Sequence, residues 1–492
     1  MSASRVPTRG RPHVVVVGGG ITGLTTAYRL VHGDAEQQSP DVTLLEAGGR
    51  LGGKLHTIEV DGLPVEAGAD SFVVRKPWAV ALCRDLGAEG DLVVPEARRA
   101  FVWARGALRP FIQPSAFGVP AAPGALLEWK GISRGGRIRG LLDLYKGRRN
   151  GEDDEALGRL LHRRLGPEVA STLVEPLLAG LHGADPDRLS TKATFPELVT
   201  WEQRHGSLIR GARAAVKASR RATGAMFAAP WAGMSQLTSR LVAAVGGDRI
   251  RTDTPVTEID RSVTGFVVHS GTDRVEADAV VLATPAFESA RLLRRLAPAA
   301  ADGLQAVRYA STAVVVLAYP PGTGSALPDG TGFVVPSRSQ ANITACTWLS
   351  RKWPSPAYGD RAVIRCFVGR DGREDVLGLE DDDLIQVVRR EIEAITPLGA
   401  EPSAGRVVRW PRGMPQYDIG HLDRVRAINA ALRGAGGVFL AGSAYRGIGI
   451  ADCVRQADEV AAEVLRYVAD LKRPDRGGSD RRTEQEVTRW AP

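Results

Sequence analysis

Three glycines set out the first chemistry open to this chain. Gly18, Gly20 and Gly23 stand in Gly18-Gly19-Gly20-Ile21-Thr22-Gly23, directly after the β-branched run His13–Val17. At the spacing G-x-G-x-x-G the first glycine permits a tight turn out of a strand. The second lets a pyrophosphate approach the backbone, and the third lets the following helix pack close to the sheet. That helix, read from Ile21 to Val31, aims its first N–H groups at the phosphates. A second strand, Val42–Leu45, leads into Glu46 and Ala47, about twenty residues past the last glycine, where a carboxylate can accept hydrogen bonds from a ribose diol. The pattern points to a dinucleotide.

Further residues of chemical interest follow in order. Arg50-Leu51-Gly52-Gly53-Lys54 adds two cations and a glycine pair directly after Glu46. Glu66-Ala67-Gly68-Ala69-Asp70-Ser71 ends a hairpin that turns at Asp61-Gly62, and the cations Arg75 and Lys76 lie just beyond it. These two cations read either as solvated surface charges or as contacts for an anionic substrate. Gly180 and His182 lie in Glu175-Pro176-Leu177-Leu178-Ala179-Gly180-Leu181-His182-Gly183-Ala184-Asp185-Pro186. Trp410 precedes Met414-Pro415-Gln416-Tyr417-Asp418-Ile419-Gly420-His421. Gly442 ends a short strand before Ile448, Gly449 and Ile450, which open an amphipathic helix toward the C-terminus. The cysteines Cys83, Cys346, Cys366 and Cys453 are scattered without metal-ligand spacing, so no metal is expected and the thiols read as buried in a reducing compartment. No acid–base pair stands out, and no catalytic residue is named.

Several of these segments resemble one family. E-x-x-x-R-x-G-G-K over Glu46–Lys54 is similar to the FAD-binding pattern of the amine oxidase and porphyrinogen oxidase superfamily, in which the arginine and the glycine pair flank the pyrophosphate. Glu175–Pro186, Ile343–Trp348 with Lys352-Trp353-Pro354, Arg409–His421 and Ala441–Cys453 narrow the resemblance to the HemY-type porphyrinogen oxidases. It spans residues 13 to 470 and departs at His182-Gly183-Ala184, where the family has an aromatic residue followed by Ala-Gly. His182 then either packs as an aromatic substitute or brings a titratable group to the site.

The resemblance implies non-covalent FAD. Its contacts would be Gly18, Gly19, Gly20, Ile21, Thr22, Gly23, Glu46, Ala47, Arg50, Gly53, Lys54, Gly68, Ala69, Asp70 and Ser71. Val256 would meet the adenine through its backbone, Trp410 the flavin, and Gly442, Ile448, Gly449 and Ile450 the flavin from the other side. N–H groups at the start of that last helix would face the pyrimidine carbonyl, where negative charge develops on reduction. Gly180 would lie beside the substrate cavity, with Arg75, Lys76 and His182 as further substrate candidates. The implied reaction, in heme biosynthesis, is oxidation of a porphyrinogen to a porphyrin, with dioxygen as acceptor and hydrogen peroxide released. Coproporphyrinogen III, with four carboxylates, is favoured over protoporphyrinogen IX, with two. Transient contact with a ferrochelatase is compatible with such a product. The other readings are a different flavin oxidation, of an amine or a carotenoid, and a non-catalytic porphyrin-binding flavoprotein.

Composition bounds what must position these residues. The chain has 492 residues, 43% hydrophobic and 24% charged, enough for two or three globular domains. A net charge of +8 suits an anionic partner, although an arginine-rich proteome gives the same balance. No nucleic-acid-binding signature is present. The opening residues lack a signal peptide, and no apolar run is long enough to span a bilayer, so a cytoplasmic protein is expected, with peripheral membrane contact left open. The fold class read from these elements and the resemblance is α/β: a Rossmann-like FAD-binding domain of the monoamine oxidase type, a mixed-sheet substrate domain and an inserted helical domain. The expected division is 11–75, 225–290 and 408–472 for FAD, 76–110 and 291–407 for substrate, 111–224 for the helical insert, and a disordered tail over 473–492. The insert is strongly basic, with Asp143 the one acid among Lys130, Arg134, Arg137, Arg139, Lys146, Arg148 and Arg149, and with a second cluster from Arg204 to Arg220 and Arg221. Within it, Gly151-Glu152-Asp153-Asp154 reads as the start of a helix. Ile250–Ile259 reads as a strand carrying Val256.

Overall fold

A computed structural model describes residues 11–33, 39–97, 99–149, 151, 153–219, 225–353 and 355–472. Arg220, Arg221, Glu152, Pro354 and the tail over 473–492 lie outside the described residues. In chain order, the elements that build the site are β1 (His13–Val17), α1 (Ile21–Val31), β2 (Asp41–Leu45), β3 (Thr57–Val60), β4 (Leu63–Glu66), β5 (Phe101–Ala104) and β6 (Ala107–Pro110). They continue with α2 (Leu157–Leu165), α3 (Glu175–His182), β7 (Ile250–Arg251), β8 (Ala279–Leu282), β9 (Tyr309–Ala318), β10 (Gly332–Val334), β11 (Ile343–Trp348) and β12 (Val363–Val368). The last are α4 (Asp381–Ile395), β13 (Ala404–Pro415), β14 (Val438–Leu440) and α5 (Ile450–Lys472).

The fold is α/β, built on two sheets. The first has five parallel strands in the order β7-β2-β1-β8-β14. Side chains alternate across a strand, so β1 divides between two cores. Val14 and Val16 pack with Leu24 and Ala27 of α1 and Val454 and Ala461 of α5, while Val15 and Val17 pack with Leu282, Leu293 and Ile428 on the opposite face. Burial on both faces explains why β1 reads as an unbroken apolar run.

The second sheet has seven strands in the order β13-β9-β12-β11-β10-β5-β6, antiparallel except where β10 meets β5. Register decides its faces. Phe333, Cys346, Cys366 and Val315 stand opposite one another and pack with Leu384, Val388 and Ile392 of α4. Val334, Ala345, Phe367 and Val314 occupy the other face. There the hairpin β3–β4 covers one end through Val60, Leu63 and Val65. The helical stretch covers the other end, packing Leu160, Val174 and Leu178 against Val102 and Ala104. Between these covers Ala345, Thr347 and Phe367 stay only partly buried, although they sit on the middle strands of a wide sheet. This partly covered strip over β11 and β12 is the candidate cleft. All four cysteines are buried thiols, and among the described residues no helix is long and apolar enough to cross a membrane.

Two sequence expectations change. Ile250–Ile259 is not one strand: β7 ends at Arg251 and the next strand begins at Glu258. The chain between bends back, with the Asp253 and Thr254 N–H groups donating to the carbonyls of Gly48 and Glu46, so Val256 lies in a connection. Of the expected helix start, Gly151, Asp153 and Asp154 are described and are not helical; α2 starts only at Leu157. Asp154 instead accepts from the Ser190 hydroxyl (2.9 Å) and the Gly420 N–H (3.0 Å), and Glu155 pairs with Arg163 (2.9 Å).

Asp143, the lone acid of the basic run, is the keystone of the helical stretch. It and Arg164 are both fully buried and paired at 2.6 Å. Its second oxygen accepts from the Ser207 hydroxyl at 2.5 Å and the Ile209 N–H at 2.9 Å. Removing Asp143 leaves the buried Arg164 guanidinium with only the longer contact to Glu202 (3.4 Å) as a carboxylate partner among the described residues. Asp143→Ala is therefore expected to lose about 3–5 kcal/mol of stability, read by denaturant unfolding.

Candidate cofactor and substrate site

The phosphate end is built from two loops laid side by side. β1 delivers Gly18, whose N–H donates to the Leu45 carbonyl at 2.8 Å, and α1 starts at once, Leu24 N–H donating to Gly20 at 2.9 Å. A Cβ on Gly23 would collide with the Gly18 carbonyl oxygen, whereas a Cβ on Gly20 would meet nothing within 4 Å. The Gly52 N–H reaches the Gly19 carbonyl at 2.8 Å, and a Cβ on Gly53 would come within 3.2 Å of the Gly20 Cα. Bare backbone and a helix N-terminus thus converge near Gly20. The Arg50 guanidinium closes the second loop onto the carbonyls of Leu51 (3.0 Å), Leu55 (3.2 Å) and Gly53 (2.5 Å). Burial pushes the Lys54 ammonium below its ordinary pKa, and among the described residues no carboxylate pairs with it. Uncompensated positive charge beside a helix N-terminus fits a diphosphate.

Glu46 lies at the end of β2 and accepts from the Gly19 N–H (2.6 Å) and the Gly48 N–H (2.9 Å), with Ala47 exposed beside it. Ile21 and Thr22 form the first turn of α1. Val256 is buried near this end, and its carbonyl already accepts from Arg291 at 2.7 Å.

The opposite end is assembled from three distant segments. A Cβ on Gly68 would collide with the Lys54 carbonyl oxygen, so the loop after β4 lies directly on the Arg50–Lys54 loop. The Trp410 indole donates to the Ala67 carbonyl at 2.9 Å and stands edge-on to His56 at 6.3 Å. Arg365 of β12, buried, donates to the carbonyls of Gly68 (2.9 Å) and Glu66 (3.1 Å). Ala69 donates to the Lys54 carbonyl at 3.2 Å. The Asp70 side chain turns away to Lys352 (2.7 Å), Arg365 (3.2 Å) and the Ser71 hydroxyl (2.9 Å). Burial alone would raise its pKa, but Arg365 and Lys352 outweigh it and hold the carboxyl well below the usual range. Arg365 and His56 drew no attention in the sequence. Lys352 did, though only as part of a motif.

Gly442 follows β14 with φ +133°, and Ile448, Gly449 and Ile450 lead into α5. Asp452, in the first turn of α5, takes the Lys76 ammonium at 2.6 Å. The charge of Lys76 is thus met within the chain. Arg75 is exposed and has no ion pair among the described residues. α3 carries Gly180, exposed, and His182, only 6% exposed. The His182 ring stands edge-on to Phe195 at 5.7 Å and tilted to Tyr417 at 5.9 Å, and among the described residues its Nδ1 has no hydrogen-bond partner. Burial drives its pKa down to about 4, so it packs as a neutral aromatic ring.

Trp410, Thr312, Val314 and Phe367 share one face of the sheet by register. The cleft floor therefore runs from the Trp410 end, beside the loop at Ala67–Gly68, across Phe367, Ala345 and Thr347 toward the helical stretch. Its small and aromatic side chains suit a flat, largely apolar molecule held against the loops that form the cofactor end.

Two expectations follow. Gly20→Val should fold and lose its flavin, whereas Gly23→Val should fail to fold; soluble yield and the visible flavin absorbance read both. His421 is also buried, with its pKa down to about 4. Both histidines titrate near their ordinary value once unfolded, so the unfolded chain takes up protons that the native one refuses. Stability is therefore full above about pH 6.5 and falls as pH drops toward about 4, by up to about 3 kcal/mol per histidine. Thermal unfolding across that window should flatten in His182→Phe.

The match to known proteins agrees with this geometry. The family model for flavin containing amine oxidoreductases matches residues 21–465. The coproporphyrinogen III oxidase of Bacillus subtilis (strain 168) is 33% identical over 93% of this chain and 99% of its own. That of Staphylococcus aureus (strain NCTC 8325 / PS 47) is 33% identical over 92% and 98%. A crystal structure from Exiguobacterium sp. 255-15, provisionally assigned as a protoporphyrinogen oxidase, superposes with a TM-score of 0.83 at 33% identity, covering 93% of this chain and 99% of that one. The chain therefore belongs to the flavin containing amine oxidoreductase family and, within it, to the HemY-type porphyrinogen oxidases.

Proposed function

We propose that this chain is an FAD-dependent oxidase that converts coproporphyrinogen III to coproporphyrin III in heme biosynthesis, in the cytoplasm, with dioxygen as acceptor and hydrogen peroxide as co-product. The cleft over β11 and β12 carries the reading: a wide, flat floor beside the Trp410 indole and the loop at Gly68, in a chain whose relatives bear that activity in their names.

The pyrophosphate is assigned to Gly18–Gly23, Arg50, Gly53 and Lys54, the ribose to Glu46, and the adenine to the chain around Val256. The ring system is assigned to Gly68–Ser71, Trp410 and Gly442–Ile450. The parallel-sheet residues then hold the cofactor, the seven-stranded sheet holds the substrate, and the helical insert closes the cleft. Bound FAD supplies the acceptor for hydride and is reoxidised by dioxygen. Attachment is taken as non-covalent, in keeping with Cys453, beside Thr22 at the start of α1, whose thiol burial pushes up to about 11.

The residues lining the cleft orient rather than transfer protons. A porphyrinogen meso carbon gives up hydride readily because the adjoining pyrroles stabilise the cation, and pyrrole N–H groups then lose protons without a strong base. What remains for the protein is to fix the ring plane and exclude water. Phe367 and Trp410 offer aromatic faces, Ala345 and Thr347 leave height, and His182 stays uncharged. Of the two candidate cations Arg75 and Lys76, Arg75 has no ion pair among the described residues and is available to a substrate carboxylate.

Coproporphyrinogen III should give the higher kcat/KM, measured by porphyrin fluorescence after anaerobic preparation of each porphyrinogen, with the spontaneous rate subtracted. Arg75→Ala should raise the KM for coproporphyrinogen III about fivefold, the size of an exposed ion pair, without loss of flavin. A higher ratio for protoporphyrinogen IX reverses the substrate assignment, and amine turnover with no porphyrinogen turnover removes the proposal.

A further inference from the structure

The segment Met414–His421 meets three parts of the molecule at once. Tyr417 is 1% exposed, and its backbone carbonyl accepts from the Ser190 N–H of the helical stretch at 2.8 Å. Asp418 pairs with Arg308 at the start of the seven-stranded sheet (2.8 Å), and the Gly420 N–H donates to Asp154 of the helical stretch (3.0 Å). The third part is the loop before α5. The Tyr417 hydroxyl donates to the Ser443 carbonyl at 2.8 Å and accepts from the Gly447 N–H at 2.8 Å. One hydroxyl thus spans the whole turn from 443 to 447.

His421 completes the clamp. Its ring stacks on Tyr417 at 3.9 Å with 10° between the planes, and its Nε2 bonds the Tyr445 carbonyl at 2.9 Å. The bond to a carbonyl makes Nε2 the protonated nitrogen. Three of the five residues from 443 to 447 are therefore tied to two side chains four positions apart. The consequence passes directly into α5. At Gly447, φ is +112° and a Cβ would stand 2.6 Å from Asp452. The Gly447 backbone therefore lies close against Asp452 in the first turn of α5, and residues 448–450 are the short link between the two.

We propose that Tyr417 and His421 are positioning residues for the flavin, fixing the N–H groups that open α5 against the end of the ring system that gains charge on reduction. The proposal rests on the flavin lying against Gly442–Ile450 and is independent of which substrate fills the cleft. Loss of the Tyr417 hydroxyl leaves the Gly447 N–H and the Ser443 carbonyl without this partner in a half-buried turn. The loop then relaxes, and donors aimed at developing negative charge lose their preorganisation.

The test uses the full chain as Tyr417→Phe and His421→Phe, the second keeping the stack while removing the donor. Tyr319→Phe serves as control, since that hydroxyl is also buried but has no partner and lies in the core beneath α4. Apoprotein is titrated with FAD, and the holoprotein is read by visible circular dichroism and by its reduction potential against reference dyes. Tyr417→Phe should weaken FAD about tenfold, lower the potential and change the flavin dichroism. His421→Phe should do the same to a smaller degree, and Tyr319→Phe should match the parent. Unchanged affinity and potential in Tyr417→Phe overturn the proposal, even where thermal stability falls. Should Tyr417→Phe not fold, the same null result in His421→Phe overturns it.

Discussion

The contact on which the site depends is the buried cluster of Asp70, Lys352 and Arg365. These groups come from the loop after β4, the turn after β11 and the middle of β12. None could be buried alone, because an isolated charge in a protein interior costs several kcal/mol. Together they offset one another's charge, and Nη1 of the guanidinium donates to the carbonyls of Glu66 and Gly68. A loop rich in small residues, with little apolar surface of its own, is thereby fixed to the floor of the cleft. Trp410 adds a second tether through Ala67. The distance between the cofactor end and the cleft floor is set by this pairing.

That arrangement explains what could be read from the chain and what could not. The unit β1–α1–β2 is local: turn, helix start and carboxylate all follow from residues within one short stretch, so its reading transfers directly to the structure. The second sheet was legible only as a mixed-sheet substrate domain: its edge strand β13, Ala404–Pro415, runs across the boundary expected at 408. Asp70 was legible as part of a motif but not in its role, since its partners lie some 280 and 295 positions away and only the fold brings them in. Ile250–Ile259 reads as one strand, and the resemblance puts Val256 on it. The backbone donors of Asp253 and Thr254 are instead taken by the Glu46–Gly48 turn, which bends the chain out of any ladder. Asp153 and Asp154 look like first-turn acids, yet Asp154 is claimed by Ser190 and Gly420. Long-range hydrogen bonds override local propensity in each case.

His182 shows the same competition between composition and environment. A histidine beside a cleft invites a catalytic reading. Between Phe195 and Tyr417 its charge has no counter-ion, and desolvation keeps it neutral. In that state the imidazole differs little from the aromatic residue it replaces, apart from one buried nitrogen without a partner. The departure from the family pattern therefore changes the acid sensitivity of the fold more than its chemistry.

The absence of an acid–base pair from the sequence reading also acquires a physical reason. Hydride loss from a carbon flanked by pyrroles is limited by geometry, since the cation is stabilised within the macrocycle itself. Such a reaction gains most from rigid placement of donor against acceptor, where small displacements cost large factors in rate. The buried polar groups around this site are spent accordingly. Arg365, Lys352, Trp410, Tyr417 and His421 all direct their hydrogen bonds to loop carboxylates, carbonyls or N–H groups. Charge and hydrogen bonding hold the two loops that face the cleft, and the cleft itself is left to small and aromatic side chains. A site organised in this way spends its polar groups on holding the loops beside the macrocycle, and the macrocycle itself becomes flat as oxidation conjugates its meso carbons.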